Sequence, residues 1–152
     1  MMREQLLQFL QYNDWANKEL LTGILQLSDK EEAVALFSHM IQAQDVWYSR
    51  VVPGIAPPNT APFAAAKLLD EWERSTSRWR EYLANSSDEE LEKEIVFITF
   101  TGLKKAAKIK DTAFQINCHS VHHRAQIAKM ISRQGVKVPV TDYILTAWRD
   151  VE

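Results

Sequence analysis

Cysteine is almost missing from this chain of 152 residues, since Cys118 stands alone. A single thiol excludes an internal disulfide framework and fits a reducing compartment. Glycine and proline are also sparse, at four and five, and two of the prolines adjoin at Pro57 and Pro58. So few helix breakers predict long uninterrupted helices. No run of about 18 consecutive apolar residues occurs, and Met1 to Tyr12 has no apolar stretch of signal-peptide type. The expectation is a cytoplasmic protein without a membrane partner. Charge of one sign is lacking too, because 18 basic and 20 acidic residues leave a net charge of −2. That balance offers no general electrostatic case for nucleic acid or an anionic membrane. What remains is a globular composition, in a length that suits one domain over residues 1–152 with a core of its own.

Leu6, Leu10, Asn13, Asn17, Leu20 and Ile24 recur at helical spacing and predict a first helix over 3–26. Two asparagines stand inside that apolar stripe, where an amide without a partner costs about 1–3 kcal/mol. Asn13 and Asn17 therefore either bond a backbone group or water, or line a polar cavity within the bundle. Ser28, with Glu31 three residues on, resembles a capping box for a second helix that runs to about Val51 and stops at Pro53 and Gly54. Its expected inward face is Leu36, Met40, Ala43, Trp47 and Arg50, with His39 about 40° to one side of Ala43 and able to reach the interior.

Residues 52–62 hold four prolines and form a long connection rather than a tight turn. A third helix over 64–84 carries the stripe Leu68, Leu69, Trp72, Ser75, Trp79 and Leu83. From Glu94 the pattern changes to a β-rich run ending at Thr101 and Gly102, which predicts a short, lysine-edged hairpin. Lys104, Lys105, Lys108 and Lys110 read as its solvated edge, with attraction of an anionic substrate as the alternative. Asp111 or a neighbour opens a fourth helix, Gly135 ends it as a C′ residue, and a short helix follows near Thr141 or Asp142. The chain is thus expected to be an all-α four-helix bundle with a short β-like excursion and a short C-terminal helix.

Three of the four histidines fall in the fourth helix. His119 and His123 are four residues apart and share a face, an arrangement in which two neutral imidazoles can grip one metal ion. No glutamate follows His119, so the zinc-protease motif is absent. With Ile116 as reference, Ser120, His123, Ile127 and Met130 fall within about 40° of an inward line, His119 about 60° off it and His122 about 120° off. A second apolar stripe of Phe114, Cys118, Val121 and Ala125 lies opposite and must meet the tail or a second subunit. By residue pattern alone, an inward histidine is more often a hydrogen-bonded core residue, and a third ligand is needed to argue for metal.

Several pieces together resemble a known family. Tyr12-Asn13-Asp14-Trp15-Ala16-Asn17 is similar to the Tyr-Asn-x-Trp-x-Asn signature of the DinB-like (DinB/YfiT-like) helical-bundle proteins. His39, Ala43 and Trp47 resemble that family's second-helix segment, and His119 to Ile127 its His-x-x-x-His-Arg-Gly-Gln-Ile signature, with Ala125 in place of the glycine. Gly135 to Asp142 resembles its Gly-x-x-x-Pro-x-x-Asp tail. The resemblance implies an up-down-down-up bundle, frequently a homodimer, with one divalent ion on His39, His119 and His123. Asn13, Asn17 and His122 are then candidates for a surrounding shell or pocket. Relatives of this kind include thiol-dependent S-transferases and mycothiol-dependent isomerases.

Three imidazoles leave a coordination position for water or substrate and suit nickel or zinc better than magnesium or calcium. The expected function is a metal-dependent enzyme that transfers a low-molecular-weight thiol or hydrolyses a small electrophile, with a small-molecule substrate and no nucleic-acid partner. The alternatives are a non-catalytic, metal-stapled bundle for stress response or storage, and a metal-free interaction domain.

Overall fold

The computed structural model describes residues 1–151 and contains five α-helices and one hairpin among them. In order these are α1 (Met2–Leu25), α2 (Glu31–Val51), α3 (Leu68–Asn85), α4 (Asp88–Leu91), β1 (Glu94–Ile98), β2 (Lys104–Lys108) and α5 (Ile109–Arg133). A 3₁₀ turn at Ala65–Lys67 leads into α3, and another at Tyr143–Thr146 stands where the short C-terminal helix is expected.

Contacts along the helices set their directions. Leu6 and Leu10 share an apolar cluster with Trp79 and Leu83, whereas Leu20 and Ile24 share one with Leu68 and Trp72, so α1 and α3 are antiparallel. Phe37 meets Trp72 and Tyr48 meets Trp79, so α2 and α3 run the same way. Ala113 and Ile116 join Leu6 and Leu10, while Ile131 lies against Gly23, so α5 runs with α1. The bundle is up-down-down-up.

Two successive parallel helices need a connection that travels back along the bundle, about 30 Å for helices of this length. Residues 52–64 provide it, since an extended chain covers roughly 3.3 Å per residue and prolines keep this one out of a helix. Gln42 Nε2 donates to Ala61 O at 2.7 Å, and the Phe63 N–H donates to Ser38 Oγ at 3.0 Å, which ties the strap to α2.

The core has two apolar clusters with a polar belt between them. Toward one end are Leu20, Ile24, Phe37, Met40, Ile41, Leu68, Trp72, Ile127 and Ile131. Toward the other are Leu6, Leu10, Val51, Trp79, Leu83, Leu91, Ile109, Ala113 and Ile116. The belt consists of Asn13 and Asn17 on α1, Gln44 and Asp45 on α2, Ser75 and Thr76 on α3, and Asn117, Ser120 and Arg124 on α5, all buried. Hydrogen bonds make that burial tolerable. Gln44 Nε2 donates to Ser75 Oγ and Thr76 Oγ1, and Ser75 Oγ donates to Asp45 at 2.6 Å. Arg74 forms an ion pair with Asp45.

Several local expectations are corrected. Ser28 does not cap α2, whose N-cap is Lys30 without a side-chain hydrogen bond. Ser28 Oγ and the Asp29 N–H instead both donate to Gln134 Oε1 at 3.1 Å, which clasps the α1–α2 connection to the end of α5. The buried face of α2 is also rotated, with Phe37, Ile41 and Gln44 buried while Leu36, Ala43, Trp47 and Arg50 are half-buried. Packing between α3 on one side and α5 on the other widens that face beyond one stripe. On α5, Met130 and His123 are half-buried, and the inward line runs through Ile109, Ala113, Ile116, Ser120, Ile127 and Ile131. Leu69, placed in the stripe of α3, is 45% exposed.

The hairpin pairs Glu94 with Lys108 and Ile98 with Lys104, in antiparallel register. It packs Phe97 edge to face on Trp47 at 5.2 Å. Gly135 ends α5 at φ 72°, a left-handed conformation that glycine adopts without a Cβ penalty. Gly23 serves a different need, because a Cβ there would stand 2.9 Å from Ile131 Cδ1 and force that buried side chain to turn aside.

Candidate metal centre

His39 projects from α2, and His119 and His123 project from α5, which faces it in antiparallel orientation. Their Nε2 atoms converge, with His39 to His119 at 3.2 Å and His123 to His119 at 3.1 Å. One candidate ligand atom from each ring lies within 4.8 Å of the others, and the group contains no carboxylate. His119 and His123 are half-buried, whereas His39 is exposed. The imidazoles therefore sit at the solvent margin of the polar belt rather than inside the bundle, which corrects the inward placement of His39.

Protons satisfy this geometry less well than a cation would. His123 Nδ1 lies 2.7 Å from Gln126 Oε1, a carbonyl-type oxygen that only accepts, so the ring donates there and keeps its Nε2 lone pair facing His119. One Nε2–H on His119 then serves His123 and His39 at best as a shared, poorly aligned donor. A cation among the three nitrogens satisfies all of them at once. At metal–nitrogen distances of about 2.0–2.1 Å, tetrahedral ligand nitrogens stand roughly 3.3–3.4 Å apart, slightly beyond the two short contacts. The residues fit a divalent ion.

Electrostatics favours the same state. Burial, reinforced by the neighbouring His123, His39 and His122, pushes the His119 pKa down to about 4. Burial and then His123 also lower that of His39. Both rings are neutral at pH 7 and need release no proton to bind a metal.

This has a testable consequence for the metal-free protein. The unfolded chain holds these imidazoles at the ordinary value of 6.5, so between pH 6.5 and about 4 it binds more protons than the folded chain. Stability thus rises with pH across that window, is complete above it, and is lost on acidification. Asp88 and Glu92, held down by the Arg3 N–H and by Lys108, add losses only nearer or below their ordinary values of 3.8 and 4.5. Melting of chelator-treated protein is expected to fall from pH 6.5 to 5, and His119→Asn to flatten that fall. An equal slope in both proteins would contradict the assignment.

The remaining candidates fall elsewhere. His122 is exposed, with its ring centre 4.9 Å from that of His123. Asn13 and Asn17 are fully buried and turned to Arg124, whose Nη1 donates to Asn13 Oδ1 at 3.2 Å and Asn17 Oδ1 at 3.0 Å. Among the described residues no hydrogen bond joins either asparagine to a histidine. Reading the residues alone missed the roles of Gln126 and Arg124; the signal for Gln126 was its i+3 spacing from His123. A surface cleft of about 620 Å³ between Tyr48, Val51, Tyr82 and Glu90 is lined by no histidine. The imidazole geometry, not concavity, marks the site.

The sequence model of the DinB superfamily matches residues 28–127. The chain belongs to the DinB superfamily. The matched range holds α2, α3, the hairpin and most of α5, and with them His39, His119 and His123. It leaves out the whole of α1 with its asparagines, as well as the tail. No curated protein and no solved structure matches the chain.

Proposed function

We propose that this DinB-superfamily chain is a metal-dependent enzyme that joins a low-molecular-weight thiol to a small electrophile, or hydrolyses such an electrophile, with nickel or zinc held by His39, His119 and His123. The observation that carries the reading is the convergence of three Nε2 atoms at a margin where His39 is open to water. When bound, the ion supplies Lewis acidity and lowers the pKa of a coordinated thiol or water. The chain's own residues perform the positioning. Gln126 holds the His123 ring by its Nδ1–H, and the half-buried His119 ties the α2 ligand to the α5 pair. Asn13 and Asn17 are engaged by Arg124, so neither is offered as an acid or base.

A second reading has an observation of its own. Among the described residues the His39–His119 contact is the one side-chain hydrogen bond between α2 and α5, so an ion there would staple these helices without catalysis. Metal analysis of untagged protein purified without chelator, followed by thiol and azide titration, separates the two. About one ion per chain that accepts exogenous thiol supports the enzyme. A retained ion closed to every added ligand favours the staple, and no retained ion defeats both.

The partners of this reading are a small-molecule substrate and a second copy of the chain. The α5 side bearing Phe114 and Val121, 47% and 48% exposed, is the surface proposed for that copy.

A further inference from the structure

His39, Ala43, Trp47 and Arg50 lie within about 80° of one line on α2. Trp47 and Arg50 therefore stand on the histidine face, about 12 and 16 Å along the axis from His39. The Arg50 guanidinium carbon sits 4.6 Å from the ring centres of both Trp47 and Phe97, and 5.6 Å from that of Phe100. Its hydrogen bond among the described residues is from Nη2 to Ile98 O, long at 3.4 Å, so most of its five N–H donors remain open.

Lys105 pairs directly with Phe97 in the hairpin and therefore lies on the same face, with its side chain exposed. No ion pair among the described residues includes Arg50 or Lys105. By contrast, Lys108 and Lys110 both pair with Glu92. Two cations without carboxylates thus flank a three-ring wall on the face that carries His39.

Rings stacked on a guanidinium fix its direction while leaving its edge donors for an anion. Burial lowers the Arg50 pKa, and a bound carboxylate or phosphate would compensate that desolvated charge. We propose that Arg50, with Lys105 beside it and Trp47, Phe97 and Phe100 as walls, is an anion subsite. It receives the carboxylate or phosphate end of an elongated small-molecule substrate whose reacting end reaches the three imidazoles. The assignment rests on the catalytic reading of the histidines and names the substrate class of that site. A lipid surface would engage the exposed Ile98, Phe100 and Leu103 from outside and would not need a guanidinium stacked on rings.

The test has two arms. In chelator-treated protein, octanoate, octanol and octylamine are titrated while the Arg50 Nε–H and Trp47 indole resonances are followed. Octanoate is expected to shift both and to bind at least about tenfold more tightly than octanol, a preference that Arg50→Gln removes. In metal-loaded protein, ω-mercapto-octanoate is expected to bind more tightly than ω-mercapto-octanol by a similar factor, again only with Arg50 present. Equal binding of acid and alcohol by a chain that retains its metal overturns the subsite alone. An octanoate preference in a chain that retains no metal overturns the substrate assignment together with the catalytic reading. Sedimentation with phosphatidylglycerol vesicles that Phe100→Ser abolishes, with no response to octanoate, overturns it in favour of lipid contact.

Discussion

His119→Ala is expected to empty the metal centre, weakening affinity by well over the roughly 10–100-fold that loss of an outer-shell partner costs. His119 is the middle member of the cluster, with its Nε2 3.2 Å from that of His39 and 3.1 Å from that of His123. Without it, one imidazole on α2 and one on α5 remain, and neither helix offers a carboxylate to the group. Gln126→Leu provides the graded comparison. It keeps all three ligands but removes the acceptor that holds His123 Nδ1–H at 2.7 Å, so affinity should fall by about 10–100-fold rather than vanish. Competition against a chromophoric chelator reads both. Unchanged metal content in His119→Ala would show that no ion is held by these three histidines, and equal losses in both variants would show that Gln126 does more than orient a ring.

Arg124→Ala is expected to destabilise the fold by about 3–5 kcal/mol through lost hydrogen bonds and a cavity, near the upper end for single substitutions. Arg124 is 4% exposed and has no carboxylate partner among the described residues. Its charge is solvated by neutral oxygens alone, those of Asn13, Asn17 and Tyr12, with Nη2 to Tyr12 Oη at 2.9 Å. Burial accordingly lowers its pKa, against the favourable influence of Tyr12. Truncation leaves Asn17 Oδ1 without this donor inside the bundle, at about 1–3 kcal/mol for such a group, and adds a cavity. Tyr12 also donates to Thr141 O at 2.9 Å, so the damage should extend to the tail.

In a chain of this length, the loss corresponds to a melting temperature lower by roughly 6–20 °C. Arg124→Met, which keeps most of the volume and removes the buried charge, should recover part of it. Denaturant unfolding of the two variants checks both statements. A cost below about 1 kcal/mol for alanine would show that water, not the protein, carries this network.

How much was legible in the residues differs from one element to the next. The third-helix stripe of Trp72, Ser75, Trp79 and Leu83 is buried as its spacing predicts, because polar residues leave that helix only one apolar face. The rotation of α2 was not legible. Phe37 and Ile41 compete with Leu36, Ala43 and Trp47 for the inward position, and periodicity cannot choose between two apolar stripes on one helix. Ser28 and Glu31 carry a valid capping signal, but Gln134, 106 residues away from Ser28, takes the hydroxyl. The turn of helix at Asp88–Leu91, capped by Ser87 Oγ at 3.0 Å, was too short to show a period.

By itself, the sequence determined the long helices, the hairpin after Glu94, the end of α5 at Gly135 and the shared face of His119 and His123. Each of these depends on neighbours a few residues apart, through helical period, strand propensity or the freedom of glycine at positive φ. Only the tertiary structure decided that His39 meets that pair at the solvent margin, and that the buried asparagines belong to an arginine on another helix. Those contacts join residues as many as 111 positions apart. They depend on which way each helix runs and how it is rotated, which the long proline strap and the close passage of α5 past Gly23 settle once the whole bundle is packed.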